Sequence, residues 1–209
     1  YTTDSLTASF NLNENGGAIA IDSSTSNHKS SVSGLPSWSA GNITFDGVDD
    51  RITIPSHSTL NGPNYTLEAW ATLPDSTAWA TLSTFPRLID NVSANTSGSS
   101  LTIDRVTRKA TLYFAGSTWS SVSPGSSSTN TLIGATTLSY STKYHIVFTY
   151  DNSTKSGSIY VNGVLDAAGT TSGNYVSSSL NTTIGGNPSN NSNNYLGIIH
   201  RASIYNKAL

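Results

Sequence analysis

The run FDGVDDRITIP at residues 45–55 puts Asp46, Asp49 and Asp50 within five positions of a 209-residue chain that has only 12 acidic and 10 basic residues. Carboxylates this close would suit a hard cation, which takes oxygen ligands. The same residues also read as a turn. Asp46-Gly47 favours the positive φ angles of a tight hairpin between ITF and RITI, with Ile52 and Ile54 facing one way and Arg51 and Thr53 the other. Asp49 and Asp50, if both are extended, project to opposite faces and cannot share one ion. The run is therefore read as a structural turn closed by an Asx bond or a bond to Arg51, with calcium at one of its acids as the second reading.

Sugar recognition asks for aromatic rings that stack on pyranose faces, together with amides, acids and arginines that bond adjacent hydroxyls. Trp79 and Arg87 fall in one long polar segment, Trp119 precedes another, and Tyr195 follows the Asn-rich stretch GGNPSNNSNNY at 185–195. These four are the candidate ligand-binding residues, although loop aromatics equally tuck back over a sheet and enlarge its core. Trp38 and Trp70 are read as packed. His28, His57, His145 and His200 are scattered without the H-x-x-x-H spacing of a metal-dependent hydrolase.

The elements that must position these residues are strands. Short β-patterned runs such as NITF, RITIP, YTLEAWATL, SLTIDRV, ATLYFAG, YHIVFTYD, SGSIYVNG and LGIIHRASIY recur between Gly, Asn, Ser and Pro, and none shows sustained helical spacing. In KYHIVFTYD, Tyr144, Ile146, Phe148 and Tyr150 share one face and His145, Val147 and Thr149 the other. Asn162-Gly163 in YVNGVL is a hairpin turn. The segments 74–100 and 120–142 read as long loops, of the kind that carry function more often than not. The fold class predicted is all-β, a two-sheet antiparallel β-sandwich of jelly-roll type formed by a single domain over residues 1–209.

Composition narrows the partners. Leu, Ile, Val and Phe make up 44 of 209 residues, but a net charge of only −2 lacks the self-repulsion of a disordered chain. Ser, Thr and Asn supply 85 residues, so the surface is hydroxyl and amide rather than ionic. No basic patch is available for nucleic acid, and no apolar run approaches the ~20 residues of a membrane span. With no Cys and no Met, the chain suits an oxidising exterior. Its opening YTTDSL, without initiator Met or signal peptide, fits a processed, secreted or virion-borne protein.

Six segments in order resemble the laminin-G-like jelly-roll domains of the concanavalin A-like lectin and glucanase superfamily. LTASFNLNENGGAIAIDSSTSNH is similar to the family's entry strand, Gly pair and Asp-Ser turn, and FDGVDDRITIP to its signature hairpin. YTLEAWATL resembles its aromatic strand, KYHIVFTYD and GSIYVNGVL its central hairpin, and LGIIHRASIYNKAL its closing strand. The resemblance covers nearly the whole chain and implies the fold more than the activity. It also implies a structural calcium held by a loop Asp and carbonyls, for which Asp22 with Asn27 is the best match, beside a metal-free Asx turn at the same place. Where family members often carry an acidic pair in the closing strand, this chain has His200 and Arg201.

Retaining glucanases of the superfamily need two carboxyls about 5 Å apart, on a Glu-x-Asp-x-x-Glu type strand. Here the two glutamates, Glu14 and Glu68, lie over fifty residues apart and outside any such motif. Glu68 shares a strand face with Trp70, as an acid in a sugar cleft would, or else pairs with a Lys, Arg or hydroxyl of a neighbouring strand. The expectation is a non-catalytic, lectin-like module that binds a glycan or polysaccharide, outside the cell or on a virion surface. The alternative is a structural or adhesive subunit, such as a capsid decoration or fibre, that binds protein neighbours in a homo-oligomer or particle.

Overall fold

A computed structural model describes residues 5–39, 41–82, 85–93, 96–190 and 192–209. The strands of its first half are β1 (Leu6–Phe10), β2 (Ser31–Ser33), β3 (Ser37–Ser39), β4 (Asn42–Asp46), β5 (Arg51–Ile54), β6 (Tyr65–Thr72), β7 (Arg87–Asp90) and β8 (Ser99–Ile103), with a short helix α1 (Ser76–Trp79) between β6 and β7. There follow β9 (Lys109–Phe114), β10 (Trp119–Ser120), β11 (Ser126–Ser128), β12 (Thr131–Thr137), β13 (Lys143–Asp151), β14 (Ser156–Val161), β15 (Val164–Thr171), β16 (Thr182–Ile184) and β17 (Leu196–Tyr205). They pair antiparallel into two sheets. One runs β10-β15-β14-β13-β6-β17-β4-β3, with β1 beside the Ala202–Tyr205 end of β17; the other runs β11-β12-β9-β8-β7-β16-β5-β2. The expected two-sheet antiparallel sandwich is what forms.

Period-two alternation builds the core between the sheets. In β13, Ile146, Phe148 and Tyr150 are completely buried, while His145, Val147 and Thr149 line a cavity on the outer face. Leu101, Ile103, Leu112, Phe114, Ile52 and Ile54 face them from the second sheet, all at 0 % exposure. Each such side chain contributes roughly 1.5–3 kcal/mol relative to leaving it in water. Aromatic rings fill one end: Phe114 lies 4.6 Å from Tyr150 and 5.5 Å from Tyr175, and Tyr65 lies 5.0 Å from Tyr175. Asn162 and Gly163, at φ 52° and 78°, join β14 to β15 as the expected tight hairpin.

Two expectations need correction. The first concerns Asp46-Gly47, which does not close a hairpin. β4 pairs with β17 and β3, whereas β5 pairs with β16 and β2, so the turn carries the chain from one sheet to the other. Gly47 does take a positive φ of 78°, and Asp46 Oδ1 accepts Val48 N–H at 2.8 Å in the expected Asx bond. Residues 47–49 are bends rather than extended chain, and Asp46, Asp49 and Asp50 each place a carboxylate oxygen within 4.8 Å of the others. The second concerns the predicted loops, which hold strands: β7 lies inside 74–100, and β11 and β12 lie inside 120–142. β7 and β11, of four and three residues, show too little alternation to be recognised, and β12, TLIGATT, is polar over its exposed end.

Asp50 fixes the crossover. Its carboxylate is buried, and it accepts Leu35 N–H at 2.8 Å through Oδ1 and Asp46 N–H at 2.9 Å through Oδ2, tying the β2–β3 turn to the β4–β5 turn. Gly34, at φ 78°, leaves the room: a Cβ there would sit 2.7 Å from Asp50 Cα. Removing a buried carboxylate that satisfies two N–H groups orphans both donors. Asp50→Ala is therefore expected to lose about 2–4 kcal/mol of unfolding free energy, read from urea titration, and an unchanged midpoint would contradict the clamp.

Candidate functional site

A polar cavity of about 420 Å³ opens on the outer face of the second sheet, lined by Arg87, Val92, Asn187, Ser189, Asn190, Ser192 and Asn193. Arg87 opens β7 opposite Thr102, and Asp90 ends it opposite Ser100. A register shift between Arg87 and Ile89 adds a residue to β7, so that both charged side chains emerge on the polar side while Ile89 packs inward.

Arg87 is 8 % exposed and Asp90 fully buried. Arg87 Nε lies 3.6 Å from Asp90 Oδ2, an ion-pair distance without a hydrogen bond, and its guanidinium carbon sits 5.8 Å from the Tyr113 ring. Arg87 Nε and Nη1 are buried and have no hydrogen-bond partner among the described residues. Donors left unpaired in this way are costly, so they mark a place where a ligand's acceptors would be welcome. Burial pushes the Asp90 carboxyl up to about 6, against the opposing pull of Arg87, the Val92 and Asn91 N–H groups and the Ser100 hydroxyl.

The cavity's other side is shaped by successive Asx turns. Asn187 Oδ1 accepts Ser189 N–H at 2.8 Å, and Asn190 Oδ1 accepts Ser192 N–H at 3.0 Å. Three bonds help hold this segment to the sheets: Arg87 N–H donates to the Asn193 carbonyl at 2.9 Å, and Arg51 Nη1 donates to the carbonyls of Asn187 and Asn190 at 3.3 and 3.2 Å. Arg51 thus braces the Asn-rich segment.

Of the four candidate ligand residues, Arg87 alone lines this cavity. Trp79, Trp119 and Tyr195 are 1 %, 7 % and 0 % exposed, so none offers a ring face to a sugar. Trp79 Nε1 donates to the Arg105 carbonyl at 2.9 Å, Tyr195 OH donates to the Thr72 carbonyl at 2.8 Å, and the two rings meet edge-on at 6.4 Å. Trp119 packs edge-on to Phe114 at 5.9 Å and lies over Gly157, where a Cβ would be 2.6 Å from the indole. All three serve the core, the first two with their polar tips satisfied by backbone. Trp38 and Trp70 are only half-buried.

The Asp22 carboxylate, the predicted calcium ligand, is bonded to backbone. Asp22 Oδ1 accepts N–H from Ser9 and Ser24 at 2.9 Å each, and Oδ2 accepts His28 N–H at 2.8 Å. Three backbone donors converge on that carboxylate, the arrangement of a metal-free turn, and Asn27 contributes a positive-φ backbone (46°) whose N–H bonds the Ser24 carbonyl. At the other acidic group, both Asp50 oxygens and Asp46 Oδ1 likewise accept N–H bonds.

Glu68 faces outward from β6 on the first sheet. Its Oε1 accepts from His145 Nε2 at 2.8 Å and its Oε2 from Tyr205 OH at 2.9 Å. Burial raises this carboxyl, but the hydrogen bonds of His145 and Tyr205 outweigh it and leave the group below its ordinary value. His145 stacks on Trp70 at 4.4 Å, with Lys143 Nζ 5.2 Å from the same indole, beside an outer cavity of about 300 Å³. The neighbouring-strand hydroxyl expected is that of Tyr205 on β17, and His145 on β13 is a further partner. In the closing strand, His200 Nε2 meets Thr72 Oγ1 at 2.9 Å and Arg201 Nη2 reaches Ser9 Oγ at 3.4 Å.

Residues 46–209 match a laminin-G family model of the concanavalin A-like lectin/glucanases superfamily. The chain belongs to that superfamily. No curated protein matches it in sequence. Among solved structures, it is similar to domain 4 of an extracellular GH43 arabinanase from Geobacillus stearothermophilus in complex with arabinotriose, at TM-score 0.72 and 18 % identity over 98 % of this chain and 94 % of that one. It is also similar to the binding domain of botulinum neurotoxin serotype D, at TM-score 0.68 and 14 % identity, over 99 % of this chain but 49 % of that one. A third is the CBM40 of a Ruminococcus gnavus sialidase bound to α2,3-sialyllactose, at TM-score 0.60 and 12 % identity over 80 % of this chain and 91 % of that one. At these identities the likeness is one of fold. These neighbours of a concanavalin A-like sandwich are binding domains. Among the described residues no helix is long and apolar enough to cross a membrane.

The buried Arg87–Asp90 pair of this superfamily member gives a pH signature. The folded state holds the Asp90 proton more tightly than the unfolded chain does, so Asp90's contribution to stability is fully present below the ordinary value of 3.8 and is lost as pH rises through about 6. Relative to Asp90→Asn, the native chain should therefore gain on the order of 1 kcal/mol between about pH 7.5 and about pH 5. Paired urea titrations would read the gap, and a gap independent of pH would contradict the buried carboxyl.

Proposed function

We propose that this chain is a non-catalytic glycan-binding module that works outside the cell or on a particle surface and holds its glycan at the Arg87 cavity. One observation carries the reading: Arg87 lines a cavity whose other side chains, Val92 apart, are amides and hydroxyls. Sugar hydroxyls and ring oxygens are the partners that a cation set among amides and hydroxyls can bond. The arabinotriose and sialyllactose bound by two structural neighbours support a sugar as ligand for this architecture. The cavity beside His145 is the weaker candidate, because Glu68, its principal charged neighbour, has both oxygens taken by His145 and Tyr205. The same closed network argues against Glu68 as an acid in turnover.

A second reading, a structural or adhesive subunit, is favoured by an apolar hollow of about 340 Å³ on the edge of the sandwich. Ala18, Val32, Leu35, Pro36 and Trp38 line it, and Leu35 is 96 % exposed. On this reading the sandwich would pair through β3, the edge strand that carries Trp38.

Affinity electrophoresis through gels containing a panel of neutral and acidic polysaccharides separates the two readings. Retardation by at least one polysaccharide, abolished in Arg87→Gln with thermal unfolding still cooperative, is the expected outcome, with no new reducing ends released from the polymer. Passage through every gel unretarded, together with a stable oligomer by light scattering that Leu35→Ser dissociates, would favour the structural subunit.

A further inference from the structure

We infer that the Arg87 cavity selects an acidic glycan, one whose sugar carries a carboxylate or a sulfate ester; this rests on the glycan-binding reading above. The inference comes from how the Asn-rich segment disposes of its own acceptors. An asparagine side chain normally offers one acceptor and two donors. Here Asn187 Oδ1 is taken by Ser189 N–H and Asn190 Oδ1 by Ser192 N–H and the Ser192 hydroxyl, and backbone N–H groups are donors without ambiguity. What these two amides have left is their NH₂ groups, which have no partner among the described residues.

The same bias runs through the rest of the lining. The backbone carbonyls of Asn187 and Asn190 are held by Arg51, and that of Asn193 by Arg87 N–H. Arg87, whose Nε faces Asp90, lines the cavity and carries its positive charge. Asn193 Oδ1 and the Ser189 hydroxyl remain able to accept, enough to bond a neighbouring hydroxyl of the same sugar. A site that offers several donors and a cation but few acceptors discriminates by leaving those donors unmet when a neutral hydroxyl, itself half donor, takes the place of an anionic oxygen.

Asp90 does not cancel this. It stands at 3.6 Å from Nε, its Oδ1 accepts Val92 N–H at 3.0 Å, and it is fully buried behind the guanidinium, whereas Asn187, Asn190 and Asn193 are at least partly exposed. Nor does bulk electrostatics supply the selectivity, because the chain's net charge is −2. Anion binding by this protein must come from a local arrangement, and that makes it separable from ion exchange.

The test is affinity electrophoresis or calorimetry with polygalacturonate against its carboxyl-reduced form, and with dextran sulfate against dextran, using the whole chain and the double variant Asn187→Asp/Asn190→Asp. Asp keeps the oxygen that each Asx turn needs and replaces the NH₂ donor by a second acceptor, so the fold is retained while the donor set is inverted. The expected result is binding of polygalacturonate or of dextran sulfate, whichever anion the site takes, with at least about tenfold weaker binding of its neutral counterpart and of the double variant. Equal binding of the acidic and neutral members of a pair would overturn the inference and leave the glycan reading intact. Binding of no polysaccharide at all would overturn both. Acidic binding that survives in the double variant would place the anion elsewhere and overturn the assignment to this cavity.

Discussion

The constraint on which this structure depends is a shortage of apolar side chains. Leu, Ile, Val and Phe supply only 44 of 209 residues, yet two sheets of eight and nine strands must be held face to face. Hydrophobic burial is the dominant favourable force, so a chain this polar has to draw every large ring it can into the space between the sheets. Tyr65, Trp79, Phe114, Trp119, Tyr150, Tyr175 and Tyr195 all end there, several from segments that are not regular strands. Trp79 and Tyr195 do this with their polar tips on backbone carbonyls, those of Arg105 and Thr72.

The consequence for recognition is direct. Trp79, Trp119 and Tyr195, used as core, are not available as stacking platforms, so the cavity at Arg87 offers hydrogen bonds instead. The hydroxyl and amide surface serves first to organise the chain itself: Asp22, Asp46, Asp50, Asn187 and Asn190 each close a turn by accepting backbone N–H groups. Turns made in this way consume acceptors and leave donors. Around Arg87 this is the basis of the proposed preference for an acidic glycan, and at Asp22 it ties the carboxylate to three backbone N–H groups.

The fold was legible in the sequence because long alternating runs survive polar neighbours. KYHIVFTYD declares its two faces, Asn-Gly declares its hairpin, and the order of motifs matches the superfamily. What could not be read were the short strands, since RLID offers a single alternation and a register shift moves its charges to the polar face. The Asp46-Gly47 turn was recognised, but its partners were not: a positive φ permits either a hairpin or a crossover, and the choice lies with β16 and β17, more than a hundred residues away. Trp79, Trp119 and Tyr195 were misassigned for the reason given above, because a loop ring carries no local mark of which way it will turn. Arg87 was singled out by its place with Trp79 in a long polar segment; the amides of Asn187 and Asn190 were visible only as a turn-prone stretch.

The measurement that bears most directly on the account is an ¹⁵N–¹H NMR titration of the whole chain with short oligosaccharides of a polysaccharide that retards it. The account predicts that the perturbed amides cluster at Arg87–Val92 and at Asn187, Ser189, Asn190, Ser192 and Asn193. Perturbations centred instead on His145, Val147, Thr149 and Tyr160 would contradict it and move the binding site to the opposite sheet.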